Sequence, residues 1–226
     1  MTGQSPAERR ALINLSAALG SGDAAFVRAA LDSAGPVADP VRIEEAILQA
    51  YLFVGFPVVL GALTAWRRST GGSRREAGPD AAPERDEEPG RPVDGVADLD
   101  EWGARGEALC RRIYGSAYDK LRANVKRLHP DIDRWMILEG YGKVLGRADL
   151  DVRSRELCIV ALLAVAGHEP QLHSHLRGAL NLGIPAADVS AALELAFERI
   201  PDQQARSRIS ALWERVQAKP SPGNGH

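Results

Sequence analysis

Residues 150–183, LDVRSRELCIVALLAVAGHEPQLHSHLRGALNLG, carry the pattern on which the fold turns. From Leu157 to Ala166 every residue is apolar or Cys. A helix of that composition keeps no face for solvent and is expected to be buried on all sides. Gly167 ends it, because glycine takes the left-handed C-terminal conformation without a Cβ clash. Pro170 suits the first turn of a second helix, where its missing N–H costs nothing. In that helix Leu172, Leu176, Ala179 and Leu180 recur at helical spacing, and Gly183 closes it. His175 falls among these apolar positions and so points to the buried side. Glu156 sits one turn into the first helix. A buried acid and a buried imidazole are costly unless paired or put to use. Glu156 lies about 16 Å back from the turn and His175 about 10 Å beyond it, at ~1.5 Å of rise per residue. The remaining offset, roughly one helical turn, is within reach of a long Glu side chain and one water. The plain alternative is that Glu156 caps a helix end and His175 satisfies a backbone carbonyl.

Outward from this stretch, the start of the chain repeats its layout. Residues 8–34 predict helix, turn at Gly20–Asp23, helix. RALINLSAALGSGDAAFVRAAL matches RELCIVALLAVAGHEPQLHSHLRGAL with two residues fewer at the turn, and IEEAILQAYLF matches VSAALELAFER. Such self-similarity recasts the chain as two degenerate copies of one helical unit. At the positions of Glu156 and His175 the first copy offers Arg9 or Arg10, and Phe26, which cannot perform the same proton chemistry. Residues 41–66 predict a helix to about Val54, a break at Pro57 and another helix to Trp66.

Residues 67–95 are rich in Pro, Gly and mixed charge with no apolar period, the composition of a flexible linker. The expected organisation is therefore a degenerate N-terminal repeat at 1–67, a linker at 68–98, a C-terminal domain at 99–217 and a disordered tail at 218–226. After Leu99 one or two helices are expected with a kink at Gly115, their core side formed by Trp102, Leu109, Ile113, Leu121, Val125 and Leu128. His129-Pro130 makes a turn. Beyond it Trp135, Ile137, Leu138, Tyr141 and Val144 are placed on or near a buried face, and Glu139 and Tyr141 either border a pocket or serve packing and surface charge.

Bulk composition narrows the function classes. A net charge of −2 with no basic stripe speaks against nucleic acid. Cys110 and Cys158 lack C-x-x-C spacing and fit a reduced cytoplasm without a disulfide framework. Residues 46–66 are long and apolar enough to span a bilayer, but Gln49 and the Gly55-Phe56-Pro57 break favour two helices buried in an oligomer. The N-terminus carries no secretory signal pattern. His168, His173, His175 and Glu156 include metal-ligand types, yet His-x-His on a helix splays its rings about 200° apart, so no metal is expected.

RSREL, the apolar run, GHEPQLHSHLRGALNLG and the preceding EGYGKVLGRADLDVRSREL resemble the carboxymuconolactone decarboxylase family. That family includes lactone decarboxylases of aromatic catabolism and alkylhydroperoxidase-D-type thiol reductases. The match is most specific over about residues 138–183. It implies an all-α, alkylhydroperoxidase-D-like fold, here as two tandem copies with linking helices. The thiol branch carries C-x-x-C-x-x-x-H with a Glu twelve residues before the first Cys. Its Glu and His positions are Glu156 and His175, while its two Cys positions are His168 and Gln171, so the redox pair is absent. Helix-break-helix residues 47–63, ILQAYLFVGFPVVLGAL, resemble the segment that wraps the active site in ordinary members. The N-terminal copy thus supplies an apolar wall, and the C-terminal copy supplies His175 and Glu156; independent drift of the two halves is the alternative.

In the decarboxylase branch the resemblance implies a β,γ-unsaturated lactone acid losing carbon dioxide to leave an enol-lactone. That chemistry needs a cation or hydrogen-bond donor for carboxylates, an acid for the carbon framework and a mostly dry pocket. His175 is the expected proton donor, since imidazole titrates near neutral pH, and Glu156 orients it. Arg177, about 200° round the helix from His175, either grips a carboxylate or forms an interface salt bridge. His168, where the decarboxylase branch usually has Arg, could reach the pocket mouth as a substrate-binding residue. No cofactor is implied. The partner is a small-molecule substrate, with no nucleic acid and no membrane, in a homo-oligomer of trimer or hexamer type. Two readings stand beside the lyase: a thiol-dependent peroxidase, which lacks its cysteines, and a non-catalytic helical oligomer with an inherited pocket.

Overall fold

Every regular element among the described residues, 4–70 and 96–218 of the computed structural model, is helical. Three helices open the chain: α1 (Pro6–Ser21), α2 (Ala24–Ala34) and α3 (Pro40–Ser69). Next, α4 (Val96–Tyr114) passes through a 3-10 turn into α5 (Tyr118–Leu128), and α6 (Pro130–Trp135) continues as a π-helical stretch, Met136–Leu145. Four helices follow: α7 (Val152–Ala166), α8 (Glu169–Asn181), α9 (Ala186–Phe197) and α10 (Gln203–Ala218). The all-α expectation therefore holds.

The centre of the structure is α7. Asp151 caps it, accepting from the N–H groups of Arg153 and Ser154, and Gly167 closes it at φ 75°. Every residue from Ser154 to Ala164 is buried. The helix achieves this by packing on α1, α3, α8 and α9. Each of its large aliphatic side chains contributes roughly 1.5–3 kcal/mol by leaving water.

Close helix crossings depend on missing side chains. Where α1 meets α7, a Cβ added to Gly20 would overlap the Leu162 carbonyl oxygen. The crossing of α4 with the π-helical stretch is reciprocal: a Cβ on Gly106 would strike the Ile137 carbonyl, and one on Gly142 the Trp102 carbonyl.

The two ends of the chain pack in the same order. As α7 packs on α8, α9 and α3, so α1 packs on α2, α3 and α9. Gly22, at φ 66°, ends α1 as Gly167 ends α7. Counted from the N-caps Asp23 and His168, however, the position matching His175 is Ala30 and not Phe26. Ala30 is buried, whereas Phe26 is 47 % exposed. The turn is not shorter in the first run; α2 itself is.

Other details depart from expectation. The break in α3 lies at Gly55, with φ 76° and ψ 171°, a conformation open to glycine; Pro57 then opens the second half, where a first-turn proline needs no N–H. Leu128, at the last residue of α5, is 84 % exposed because the chain turns away there. Trp135 is half exposed. It stands where α6 gives way to the wider π-helical turn, which brings Ile137, Tyr141 and Val144 inward instead. At the linker, α3 runs to Ser69 and α4 opens at Val96; residues 71–95 and the tail residues 219–226 lie outside the described part. By length and composition α3 could cross a membrane. Its middle is broken at Gly55, and its first half carries the buried Glu45 and Gln49.

Substituting Gly20→Ala tests the α1–α7 crossing. Helix propensity alone predicts a gain of roughly 1 kcal/mol. Overlap with the Leu162 carbonyl predicts instead a loss of about 1–3 kcal/mol, read as a lower urea midpoint.

Candidate functional site

Two adjacent charged residues enter the apolar interior on α7. Arg155 and Glu156 are each about 1 % exposed. Neighbours on a helix point about 100° apart, so the two side chains find different partners.

Arg155 turns toward α3. Its guanidinium donates to Glu45 Oε2 at 2.6 Å, Gln49 Oε1 at 3.3 Å and the carbonyls of Leu150 and Arg147 at 3.0 and 3.2 Å. Glu45 also accepts from Arg147 Nε at 2.8 Å. A buried guanidinium is tolerated only when paired and hydrogen-bonded in this way. The sequence reading missed this network. Glu45 stands between the buried Ile43 and the buried Ala46 and Ile47 in α3, which was the available signal.

Glu156 turns toward α8. Its Oε2 lies 2.9 Å from His175 Nδ1, and His175 is 5 % exposed. The contact is direct; no bridging water is needed, since the long Glu side chain spans the one-turn offset. Gly178, one turn beyond His175 minus a residue, makes room for it. A Cβ there would stand 3.4 Å from Glu156 Oε2 and 2.7 Å from Ile113 Cγ2. An ionised carboxylate only accepts hydrogen bonds, so Nδ1 donates and Nε2 is the nitrogen left over. Among the described residues Nε2 has no hydrogen-bond partner.

Aromatic groups complete the surroundings. Phe53 of α3 meets the His175 ring edge-on, with centroids 5.7 Å apart. Tyr114 and Tyr141 share a hydroxyl–hydroxyl hydrogen bond of 2.9 Å. Burial pushes both phenols well up from their ordinary values, and the nearby Glu156 carboxylate adds to this. They are therefore donors and not bases. Phe53 falls within residues 47–63, the stretch expected to form the apolar wall, without being singled out there, and Tyr114 lies outside every candidate stretch. Phe53 lies more than a hundred residues from His175, and Tyr114 looked like an ordinary helix-end aromatic. Tyr141, open in the sequence between packing and the pocket, is buried against Tyr114 and lies near enough to Glu156 to feel its charge. Glu139 instead accepts from Tyr51 at 2.7 Å.

The remaining candidates lie elsewhere. His168 is the exposed N-cap of α8, seven residues and about 10 Å of helix from His175. Arg177 donates to the Val216 carbonyl of α10 at 3.4 Å. Neither is brought to the Glu156–His175 pair. Both cysteines are buried, and burial pushes the Cys110 thiol up to about 12 and the Cys158 thiol to about 11. Among the described residues, no three His, Cys, Asp or Glu side chains converge as a metal site would require.

This geometry meets an independent comparison: residues 130–200 match the family model described as the carboxymuconolactone decarboxylase family. That segment is similar to the carboxymuconolactone decarboxylase family. Over 174 residues, 76 % of this chain and 75 % of the relative, the chain is also 28 % identical to Peroxisomal protein 2 of Schizosaccharomyces pombe. The matched segment holds Tyr141, Glu156 and His175, while Glu45, Phe53 and Tyr114 come from outside it.

Two outcomes follow. Glu45→Gln leaves the Arg155 charge buried without its carboxylate and is expected to cost roughly 3–5 kcal/mol in urea unfolding. The thiols give a pH dependence. A thiol held protonated by the fold keeps its proton while the unfolded chain begins to lose it near pH 9, so stability falls as pH rises from about 9 toward 11 for Cys158. Urea midpoints at pH 8 and pH 10.5 are expected to differ less in Cys158→Ala than in the wild type.

Proposed function

We propose that this chain is a carboxymuconolactone decarboxylase-like protein that moves a proton on a small carboxylated, lactone-type metabolite, leading to decarboxylation or isomerisation. One observation carries the reading: a buried Glu156–His175 pair at 2.9 Å whose Nε2 has no partner among the described residues. Glu156 fixes the ring and its tautomer, so Nε2 is presented in one orientation. In decarboxylation, the ring starts with a proton on both nitrogens, Nδ1–H held on Glu156; the C–C bond to the leaving carboxylate breaks and its electrons pass into the carbon framework, which takes the proton of Nε2–H. The ring regains that proton from solvent. In isomerisation, Nε2 takes a proton from one carbon and returns it to another. Tyr141 and Tyr114 bond to each other and keep one hydroxyl hydrogen to donate beyond the pair. Phe53 supports a dry environment at the ring.

A second reading, binding without turnover, draws on the placement of Arg177 and His168 away from the pair. A peroxidase using its own dithiol has no chemical route through two separate buried thiols.

The matching packing order of α1–α3 and α7–α9 supports two degenerate copies of one unit, with the first lending Phe53 to the second. The exposed Phe56 and Leu60 of α3 are in keeping with a homo-oligomer. Free buried thiols suit a reduced compartment, the cytoplasm in our reading; the relative's name places that protein in peroxisomes. No nucleic-acid or membrane partner forms part of this proposal.

Steady-state assay on carboxymuconolactone tests the enzyme. His175→Ala is expected to lower kcat/KM about 10²–10⁴-fold, with the fold kept by circular dichroism. Substrate binding with no turnover by the wild type would select the second reading.

A further inference from the structure

A second feature of the molecule lies outside the Glu156–His175 pair. Between α4 and the loop that enters α7 is a hollow of about 610 Å³, lined by Arg105, Leu109, Arg112, Arg147, Val152 and Arg153 among others. The hollow is shallow and open to solvent, with a volume in the range of small-molecule sites.

Its charge is unbalanced. Glu45 is shared between Arg147 and the buried Arg155, at 2.8 and 2.6 Å, so one carboxylate answers two guanidiniums. Arg105 pairs with Glu101 at 3.1 Å. Asp151 lines the hollow, but its carboxylate is engaged in the cap of α7, accepting from Arg153 N, Ser154 N and Ser154 Oγ. The exposed Asp149 stands in the same loop without lining the hollow. Among the described residues, the side chains of Arg112 and Arg153 have no carboxylate within ion-pair distance. Five guanidiniums thus meet three carboxylates at and beneath one hollow.

Two of the arginines are also held in place. Arg105 Nε donates to the Gly142 carbonyl at 2.8 Å, and Arg147 Nε is fixed on Glu45. Anchored guanidiniums lose little freedom when an anion arrives. Leu109, Leu145, Leu150 and Val152 supply an apolar floor, which strengthens the field of the charges above it. The hollow is one helical turn from the proton-transfer pair: Leu109 and Val152 line it, and four residues on stand Ile113 and Glu156.

We infer that this hollow binds the multiply charged anionic group of a small molecule, either a phosphate or a dicarboxylate. Planar guanidiniums match the oxygens of both. The inference does not rest on the lactone chemistry, because it uses none of Glu156, His175 or Phe53.

The test is titration calorimetry on the full chain at constant ionic strength, with inorganic pyrophosphate, inorganic phosphate and succinate as probes and chloride as the control. The expected result is one site per chain for at least one probe. Heat from pyrophosphate or phosphate alone marks a phosphate group, and heat from succinate alone marks a dicarboxylate. Arg112→Ala and Arg153→Ala are each expected to weaken binding about tenfold or more. Arg134→Ala, an exposed arginine outside the hollow, leaves it unchanged. Among the described residues Arg112 and Arg153 make no ion pair, so both variants are expected to fold; unchanged thermal midpoints check this, and Arg153→Gln gives an independent second variant. Absence of binding by every probe at millimolar concentration, or equal binding by the Arg112→Ala/Arg153→Ala double variant, overturns the inference.

Discussion

The structure depends on placing two charges inside a helix that has no wet face. Arg155 and Glu156 follow each other on α7, and both are buried. Neither can reach water without unpacking the helix, so each must be neutralised from a neighbouring element. Arg155 takes Glu45 from α3, and Glu156 takes His175 from α8. The first pairing ties the beginning of the chain to its central helix. The second leaves an imidazole nitrogen without a partner. One is structural and the other is chemically usable: the Arg155 guanidinium is taken up by Glu45, Gln49 and two backbone carbonyls, while an imidazole bonded through one nitrogen still has the other.

Glycine sets how closely the supporting helices can approach. Gly20 lets α1 lie on the Leu162 backbone, and Gly106 and Gly142 let α4 and the π-helical stretch cross almost backbone to backbone. This brings Tyr114 and Tyr141, on those two elements, within one hydrogen bond of each other. Gly178 opens the space beside the Glu156 carboxylate. The polar groups of the site are thus held by small residues at crossings as much as by their own contacts.

Much of this was legible before any coordinates. The uninterrupted apolar run of α7 required burial on all sides, Gly167 and Pro170 required a tight turn, and the position of His175 among leucines required that it face inward. Those are local consequences of helical period and of Gly and Pro stereochemistry. Leu128 and Trp135 show where such reasoning fails. Each has an apolar side chain at helical spacing, but one sits at a chain reversal and the other at an α-to-π junction, where the period changes. Arg177 and His168 were candidates by spacing, and spacing could not show that the former turns to α10.

From the order of residues alone came the all-helical class, the central buried helix and the inward placement of Glu156 and His175 within reach of each other, because these depend on neighbours within some twenty positions; their direct contact was decided by packing. The linear chain could not reveal that Arg155 rests on Glu45, that Phe53 faces the imidazole, or that Arg105, Arg112, Arg147 and Arg153 surround one hollow. Those groups are separated by up to about a hundred residues. Only the packing of α3 and α4 against α7 converts their separation along the chain into contact.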